Sequence, residues 1–324
     1  MPRDGTFGTI RAANGGRTWA HVEKKEHTMV ERVTVAVDGG PASHAALAWV
    51  IDRAKTVPLR LEITSVVGLE VDFPASADTG FRGPHERAVD DAQNIVKAQL
   101  PDLAVSTKIR HGIAHEALVL ASQHADILVI GTNKTSPIAG IMHGTLSLKV
   151  AGQSECITVV VPVDWKPSQG SVVAGWADDP TADAAVDFAA DEAERRGTDL
   201  TVVHTWSMPP VAPIDGTGAA VLVDRLVAAD RQLFSDAADR LRLAHPTLTV
   251  TPVLKAGSAA VAIVRTAKDA ALVVVGSRGR GAVAGFFLGS VSHDVLLNMP
   301  APVAVVPRKH EPIDVYPELV DEDI

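Results

Sequence analysis

Four residues in the second half of the chain have the types and spacing of a phosphate-binding site. Gly276 and Gly279 follow a short run of valines, and after nine intervening residues Gly289 and Ser290 open a segment with helical spacing. Glycines directly after a buried strand let the backbone approach a ligand, because no side chain lies in the way. The first residues of a helix offer unpaired N–H groups, and the helix dipole favours an anion there. Together these features predict phosphate binding.

A purely structural role would explain each of these pieces on its own. Glycines after strands often only form tight turns, and a Gly-Ser pair before a helix is often only a cap. Their combination favours phosphate binding. So does its partial repetition earlier in the chain, where Gly131, Gly144 and Thr145 occupy the corresponding positions.

The sequence contains no evident catalytic constellation for cleaving a nucleotide. Neither a Gly-x4-Gly-Lys-Ser/Thr loop nor a Gly-x-Gly-x2-Gly loop follows the first predicted strand of either half. The loop that begins at Asp38 differs at two positions from the Ser-Gly-Gly-x-Asp-Ser loop of ATP pyrophosphatases.

His111 and His115 are expected to be solvated rather than to share a metal-binding face. Cys156 precedes a predicted strand, where a buried and inert thiol is expected.

The chain contains a tandem duplication. Residues 112–162 align with residues 257–307 at a constant offset of 145, and 15 of the 51 pairs are identical. The earlier part of each copy aligns at an offset of 139, so the second copy has six additional residues between positions 206 and 257. The segment around residues 209–218, rich in proline and glycine, is the expected place for them. Two copies of this length indicate two similar domains rather than a solenoid.

Predicted strands and helices alternate within each copy, which implies right-handed crossovers and a parallel sheet covered on both faces. In the first copy the predicted strands are 33–37, 61–67, 105–110, 127–130 and 157–161, and the predicted helices are 42–55, 85–100, 114–124 and 144–152. In the second copy strands are expected near Val172, Val202, Val250, Val273 and Val303.

The predicted fold class is therefore α/β, with two tandem doubly wound domains that each contain a five-stranded parallel sheet. The first domain is expected at 29–164 and the second at 170–308, with a flexible leader at 1–28 and an acidic tail at 309–324.

Composition and charge exclude several classes of protein. The net charge is −9 and no basic face dominates, which opposes nucleic-acid binding through phosphate neutralisation. The single cysteine cannot form an intrachain disulfide, which favours a reducing compartment. No apolar run reaches the length of a membrane span, and the N-terminus lacks the apolar stretch of a signal peptide. We expect a cytoplasmic protein that binds neither nucleic acid nor membrane.

The motif Gly276-x2-Gly279-x9-Gly289-Ser290, in this order of strands and helices, resembles the nucleotide-binding signature of the universal stress protein family. The resemblance covers about residues 30 to 307, as a tandem two-domain member, and implies the adenine nucleotide alpha hydrolase-like fold of that family. It implies ATP, with Mg²⁺ as the accompanying divalent cation, and a role as a regulator of stress response or dormancy rather than as a well-defined enzyme.

The resemblance also implies roles for individual residues. In the second copy, Gly276, Gly279, Gly289 and Ser290 with the Val291 amide stand where the family binds the phosphates and ribose, and Thr205 and Val275 stand where it lines the adenine pocket. In the first copy the corresponding residues are Gly131, Gly144 and Thr145 for the phosphates, Val66 near the base and Asp38 as the acidic residue beside the nucleotide.

Each copy departs from the family pattern at a different place. Lys134 occupies the second glycine position in the first copy, where it could neutralise a phosphate or fill the site. In the second copy Ala177 replaces the acid, and the following Asp178 and Asp179 are expected to cap the helix that begins after them. We predict that the second copy binds ATP and that the first binds it more weakly or not at all.

The last strand of each copy, 157–161 and 303–306, would form an exposed apolar edge if left alone. We predict that these edges pair with each other and join the two domains as a pseudo-dimer. Two function classes remain open: an ATP-binding regulator that presents a nucleotide-dependent surface to an unknown protein partner, and a slow ATPase or other nucleotide-using enzyme. A homodimer of the tandem chain is also possible.

Overall fold

The computed structural model describes residues 30–68, 78–133, 145–206, 217–277 and 288–307, in which strands and helices alternate as predicted. The strands are β1 (Glu31–Ala36), β2 (Leu59–Val67), β3 (Val105–His111), β4 (Ile127–Thr132), β5 (Ile157–Pro162), β6 (Val172–Gly175), β7 (Leu200–Trp206), β8 (Val250–Ala256), β9 (Leu272–Gly276) and β10 (Val303–Val306). The helices are α1 (Pro41–Ala54), α2 (Asp78–Gln99), α3 (Ala114–Ser122), α4 (Thr145–Gln153), α5 (Pro180–Arg196), α6 (Thr217–Ala244), α7 (Ala259–Thr266) and α8 (Ser290–Leu297).

All of these strands belong to one sheet, in the order β3-β2-β1-β4-β5-β10-β9-β6-β7-β8. Within each half the neighbouring strands are parallel, and each half has the doubly wound order that the sequence predicts. The two halves join through β5 and β10, which pair antiparallel. The predicted pairing of these two edges is therefore confirmed.

The register of the β5–β10 pair reveals a pseudo-two-fold axis. Ala304 lies opposite Val159, and these two residues are equivalent under the offset of 145 that relates the copies. Direct pairing of equivalent residues requires the axis to pass between them. The two halves are thus related as the subunits of a symmetric dimer would be.

Two helical layers cover the sheet and hold its strands in place. Helices α1, α2, α5 and α6 pack on one face, and α3, α4, α7 and α8 pack on the other. The central strands β4, β5, β9 and β10 are almost entirely buried, as valine-rich strands of a parallel sheet covered on both faces should be. Each apolar layer runs through both halves, so the strand ends of both domains have fixed positions.

The six additional residues of the second copy lie in a helix, not in the predicted loop. Helix α2 has 22 residues and α6 has 28. The connections that precede them have equal length, because ten residues separate Val67 from Asp78 and ten separate Trp206 from Thr217. Helix α2 also begins seven residues before the predicted start at 85, and it contains Pro84 in its interior.

Of the helices given above, none combines the length and the apolar content of a membrane span.

Candidate nucleotide-binding site

A cleft opens in the second half, at the carboxyl ends of β6 and β9. Its empty space is about 560 Å³, a value that includes open solvent at the mouth. Strand order reverses here, because β6 lies between β9 and β7, and ligands of doubly wound folds bind at such points. The described residues that line the cleft are Gly175, Trp176, Ala177, Asp179, Ala182, Val203, Ala259, Ile263, Val275, Gly276, Gly289, Ser290, Val291 and Ser292.

Gly276, the last residue of β9, allows the start of α5 to approach the sheet closely. A Cβ at this position would lie 2.8 Å from Thr181 Cγ2 and 3.1 Å from the Thr181 carbonyl oxygen. The corresponding Gly131 of the first half is tighter still, because its Cβ would lie 2.0 Å from the carbonyl oxygen of Ala42 in α1. The sequence-based reason for these glycines was ligand approach. In the structure the missing side chains make room for a helix N-terminus, and ligand approach stays a prediction.

The start of α8 is anchored above the end of β9, and its first two backbone N–H groups have no acceptor among the described residues. The Gly289 N–H donates to the Ser277 carbonyl at 2.8 Å, and the Ser292 hydroxyl donates to the Gly276 carbonyl. Gly289 is the N-cap residue and contributes no side-chain cap. The N–H groups of Ser290 and Val291 belong to the first helical turn, where no preceding helical carbonyl accepts them. They therefore line the cleft as donors, at the positive end of the helix dipole.

Asp179 and Trp176 form the opposite side of the cleft. Asp179 caps α5, since its Oδ1 accepts hydrogen bonds from the N–H groups of Thr181 at 2.9 Å and Ala182 at 3.0 Å. Its Oδ2 is buried and has no hydrogen-bond partner within the described ranges. The predicted capping role is confirmed for Asp179. Trp176 is fixed on its far side, where its Nε1 donates to Asp183 at 3.1 Å.

Behind Trp176 lies a buried aromatic cluster. The His204 ring packs edge-on against Trp176 with a centroid distance of 4.9 Å, and Phe234 packs against both. His204 Nδ1 lies 3.0 Å from the Trp176 carbonyl oxygen, and its Nε2 lies 3.0 Å from Asp230 Oδ2. These contacts hold the Trp176 side of the cleft in one position.

Comparison with known proteins identifies the family. The model of the Universal stress protein family matches residues 29–162 and again residues 170–307. The chain belongs to the universal stress protein family. A universal stress protein of Mycolicibacterium smegmatis is 30% identical over 294 residues, which are 85% of this chain and 96% of that protein.

The fold agrees with that of a solved structure. A universal stress protein from Archaeoglobus fulgidus has 18% identity and a TM-score of 0.61, over 86% of this chain and 98% of that one. A universal stress protein solved in complex with cAMP matches 42% of this chain and 96% of its own, with 25% identity and a TM-score of 0.32.

The cleft of the second universal stress domain brings together most of the residues that the motif predicts. Val275, Gly276, Gly289, Ser290 and Val291 all line it. The remaining predicted phosphate residue, Gly279, lies outside the described residues.

Thr205, predicted beside the adenine, lies near the end of β7 but is not among the described lining residues. Its place on the cleft wall is taken by Val203, two positions earlier on the same face of the strand.

In the first universal stress domain the predicted residues lie at the same edge of the sheet. Asp38 follows β1, Val66 is near the end of β2, Gly131 is near the end of β4, and Thr145 begins α4. Asp38 is exposed, and its Oδ1 accepts the N–H of Gly40 at 2.8 Å, so it closes its own turn. Gly144 and Lys134 lie outside the described residues.

Several lining residues were not predicted from the sequence. Trp176 directly follows β6, so the rule that sites lie beyond strand ends could have singled it out. Ser292 had a signal as well, because it is one of the identical pairs of the repeat, with Ser147. Ala259 and Ile263 come from α7, and nothing in the motif points to them.

Cys156 is the inert thiol that the sequence predicts. It is 8% exposed, and burial raises the pKa of its thiol to about 12. A thiol with so high a pKa stays protonated at neutral pH and is a poor nucleophile. It lies at the start of β5, at the amino end of that strand, away from the cleft.

Proposed function

We propose that the second universal stress domain binds ATP together with Mg²⁺, and that nucleotide occupancy changes the surface that the protein presents to a partner in a stress response. The observation that carries this proposal is the first turn of α8. Ser290 and Val291, whose N–H groups have no acceptor among the described residues, line the same cleft as an apolar wall, so one site offers both an anion-binding and an apolar side.

The two sides suit the two parts of the nucleotide. Val203, Ile263 and Val275 offer an apolar surface for a planar base. The N–H groups of Ser290 and Val291 offer charge-assisted hydrogen bonds to phosphate oxygens, which are stronger than bonds between neutral groups.

Mg²⁺ fits this site as a companion of the triphosphate rather than as a resident ion. Asp179 supplies the single carboxylate among the described lining residues, and its Oδ1 is occupied by the cap of α5. Mg²⁺ in nucleotide sites is commonly held by phosphate oxygens and water with few protein ligands. The cation would neutralise phosphate charge close to the Asp179 carboxylate.

The described lining residues favour a binder over an ATPase. Asp179 is their only strongly acidic or basic side chain, and it is engaged as a helix cap. A slow ATPase remains the alternative, and it would need a catalytic base from the segment between Ser277 and Leu288 or from another molecule. For the first domain we propose weaker binding, because Lys134 stands at the position of Gly279.

Calorimetry of the full chain with ATP, AMP and cAMP, each with and without Mg²⁺, tests the proposal. We expect one tight site for ATP with Mg²⁺, and ATP rather than ADP or AMP in the extract of the purified and denatured protein. Recovery of ADP or AMP would favour turnover. A chain that is purified empty and gives no heat with any of these nucleotides would refute nucleotide binding.

A further inference from the structure

A buried cluster of charges joins the two halves on the face of the sheet that carries α1 and α5. Arg53 Nη1 contacts Glu192 Oε1 at 2.6 Å, and these side chains are 4% and 3% exposed. Arg53 also contacts Glu31 within its own half, through two bonds of 2.6 and 2.8 Å. Glu192 likewise has a partner in its own half, Arg195, at 2.5 Å.

The residues that meet across this interface are equivalent positions of the repeat. Arg53 and Glu192 are 139 residues apart, which is the offset of this part of the duplication. Thr56 and Arg195 are also 139 apart, and the Arg195 Nη1 donates to the Thr56 hydroxyl at 2.6 Å. The pseudo-two-fold axis therefore passes between Arg53 and Glu192, as it passes between Val159 and Ala304.

Residues on a two-fold axis face their own copies when the pairing is symmetric. In a pair of first halves, Arg53 would face a second arginine, and in a pair of second halves Glu192 would face a second glutamate. Local partners would still compensate these charges in part. The direct bond across the axis would be lost, however, and buried like charges would take its place, which is strongly unfavourable. Only a first half paired with a second half places opposite charges on the axis.

We propose that Arg53 and Glu192 set the partner choice of this interface, so that a first half docks on a second half and not on its own kind. The partner that fits the α1 face of the first half is the unlike half of the chain. Substitutions that differ between the copies at one symmetric position thus convert a self-complementary surface into a directional one. Opposite charges at a few interface positions select partners in other assemblies in the same way.

Hydrogen exchange on the full chain can separate docking from folding. Among residues 158–160 and 303–305, the backbone amides that bond across the β5–β10 pair report the docking of the halves. Amides of these strands that bond to β4 or β9 report folding within a half. Amides of β1 and β7 report folding within each half. The test variants are Arg53→Glu and Glu192→Arg, each of which places like charges on the axis.

We expect exchange in the docking strands to become faster by on the order of a hundredfold or more, since disruption of a buried ion pair has effects of this size. Exchange in β1 and β7 should stay close to that of the parent chain. Thr56→Arg places a second arginine against Arg195 at an exposed position, where the chain should remain folded. For this variant we expect a several-fold increase in the same docking strands.

Asp126→Arg is the matched control, because it reverses a charge in the exposed pair with Arg32 inside the first half. It should leave exchange in β5 and β10 unchanged. The proposal is wrong if the reversals do not accelerate exchange in the docking strands, or if they accelerate it equally in β1 and β7. If either reversal prevents folding, Glu192→Gln, which removes the charge opposite Arg53 and keeps the shape of the side chain, decides between the same two results.

Discussion

Replacement of Ser290 by proline tests the phosphate-binding role of the α8 backbone directly. Proline removes the N–H group and has a φ near −65°, which suits the first position of a helix. The preceding Gly289 is extended, with φ −60° and ψ 151°, a conformation that residues before proline prefer. Helix α5 of the same chain already begins with Pro180. The helix should therefore persist and lose one backbone donor and one hydroxyl.

The expected loss follows from the strength of hydrogen bonds to charged groups, about 1.5–3 kcal/mol each. At about 1.4 kcal/mol per factor of ten, the Kd for ATP with Mg²⁺ should rise between about tenfold and about 150-fold for each hydrogen bond lost. Ser290→Ala removes only the hydroxyl, so the difference between the two variants isolates the backbone donor. Calorimetry on the full chain gives the Kd values, and the thermal midpoints show whether each variant stays folded.

Thr145→Pro is the matched control, because Thr145 begins α4 at the position equivalent to Ser290. We expect it to leave the tight site unchanged. Binding by Ser290→Pro at the affinity of the parent chain would show that this N–H group does not hold phosphate. A larger loss in Thr145→Pro than in Ser290→Pro would place the tight site in the first domain and overturn the ranking of the two domains.

Three further predictions concern stability and reactivity. Gly276→Ala should lower the free energy of unfolding by about 1–3 kcal/mol through overpacking, and Gly131→Ala should lower it more, because its added methyl group meets backbone; equal urea midpoints for both variants and the parent would contradict this. Cys156 should resist iodoacetamide in the native chain at neutral pH and react once the chain is unfolded, as mass spectrometry would show; rapid native alkylation would disprove the burial. Burial alone would raise the pKa of Glu192, but its arginine partners outweigh burial and lower that pKa to about 2. The stabilisation from this group is therefore complete above its unfolded pKa of 4.5 and is lost as the pH falls toward 2. Urea unfolding at about pH 5 and about pH 2.5 should show a fall that is smaller in Glu192→Gln, and an equal fall in both proteins would contradict the assignment.

The sequence predicts the order of elements and the β5–β10 pairing well, because both follow from local apolar patterns and from the repeat. The extra residues of the second copy are placed wrongly for a physical reason. The proline and glycine content of residues 209–218 favours a loop, so the composition indicates an insertion there. Six residues add fewer than two turns to an amphipathic helix, and the apolar pattern of a helix does not show such a small difference in length.

The candidate site likewise contains residues that the sequence predicts and residues that it does not. Gly276, Gly289 and Ser290 are predictable because they belong to one continuous motif. Trp176 and Ile263 come from distant parts of the chain that only the folded sheet brings to the same cleft. The difference between Thr205 and Val203 shows a further limit: strand alternation indicates the face of a residue but not its depth along the strand.

The outermost strands of the sheet, β3 and β8, carry features that oppose polymerisation. A free strand edge offers unpaired N–H and C=O groups that could recruit another chain. Lys108 on β3 and Lys255 on β8 are exposed, and Pro252 on β8 lacks an N–H group altogether. Since β5 and β10 pair with each other inside the chain, β3 and β8 are the two edge strands of the sheet within the described residues. The chain thus closes its sheet at the centre and discourages fibril growth at both margins.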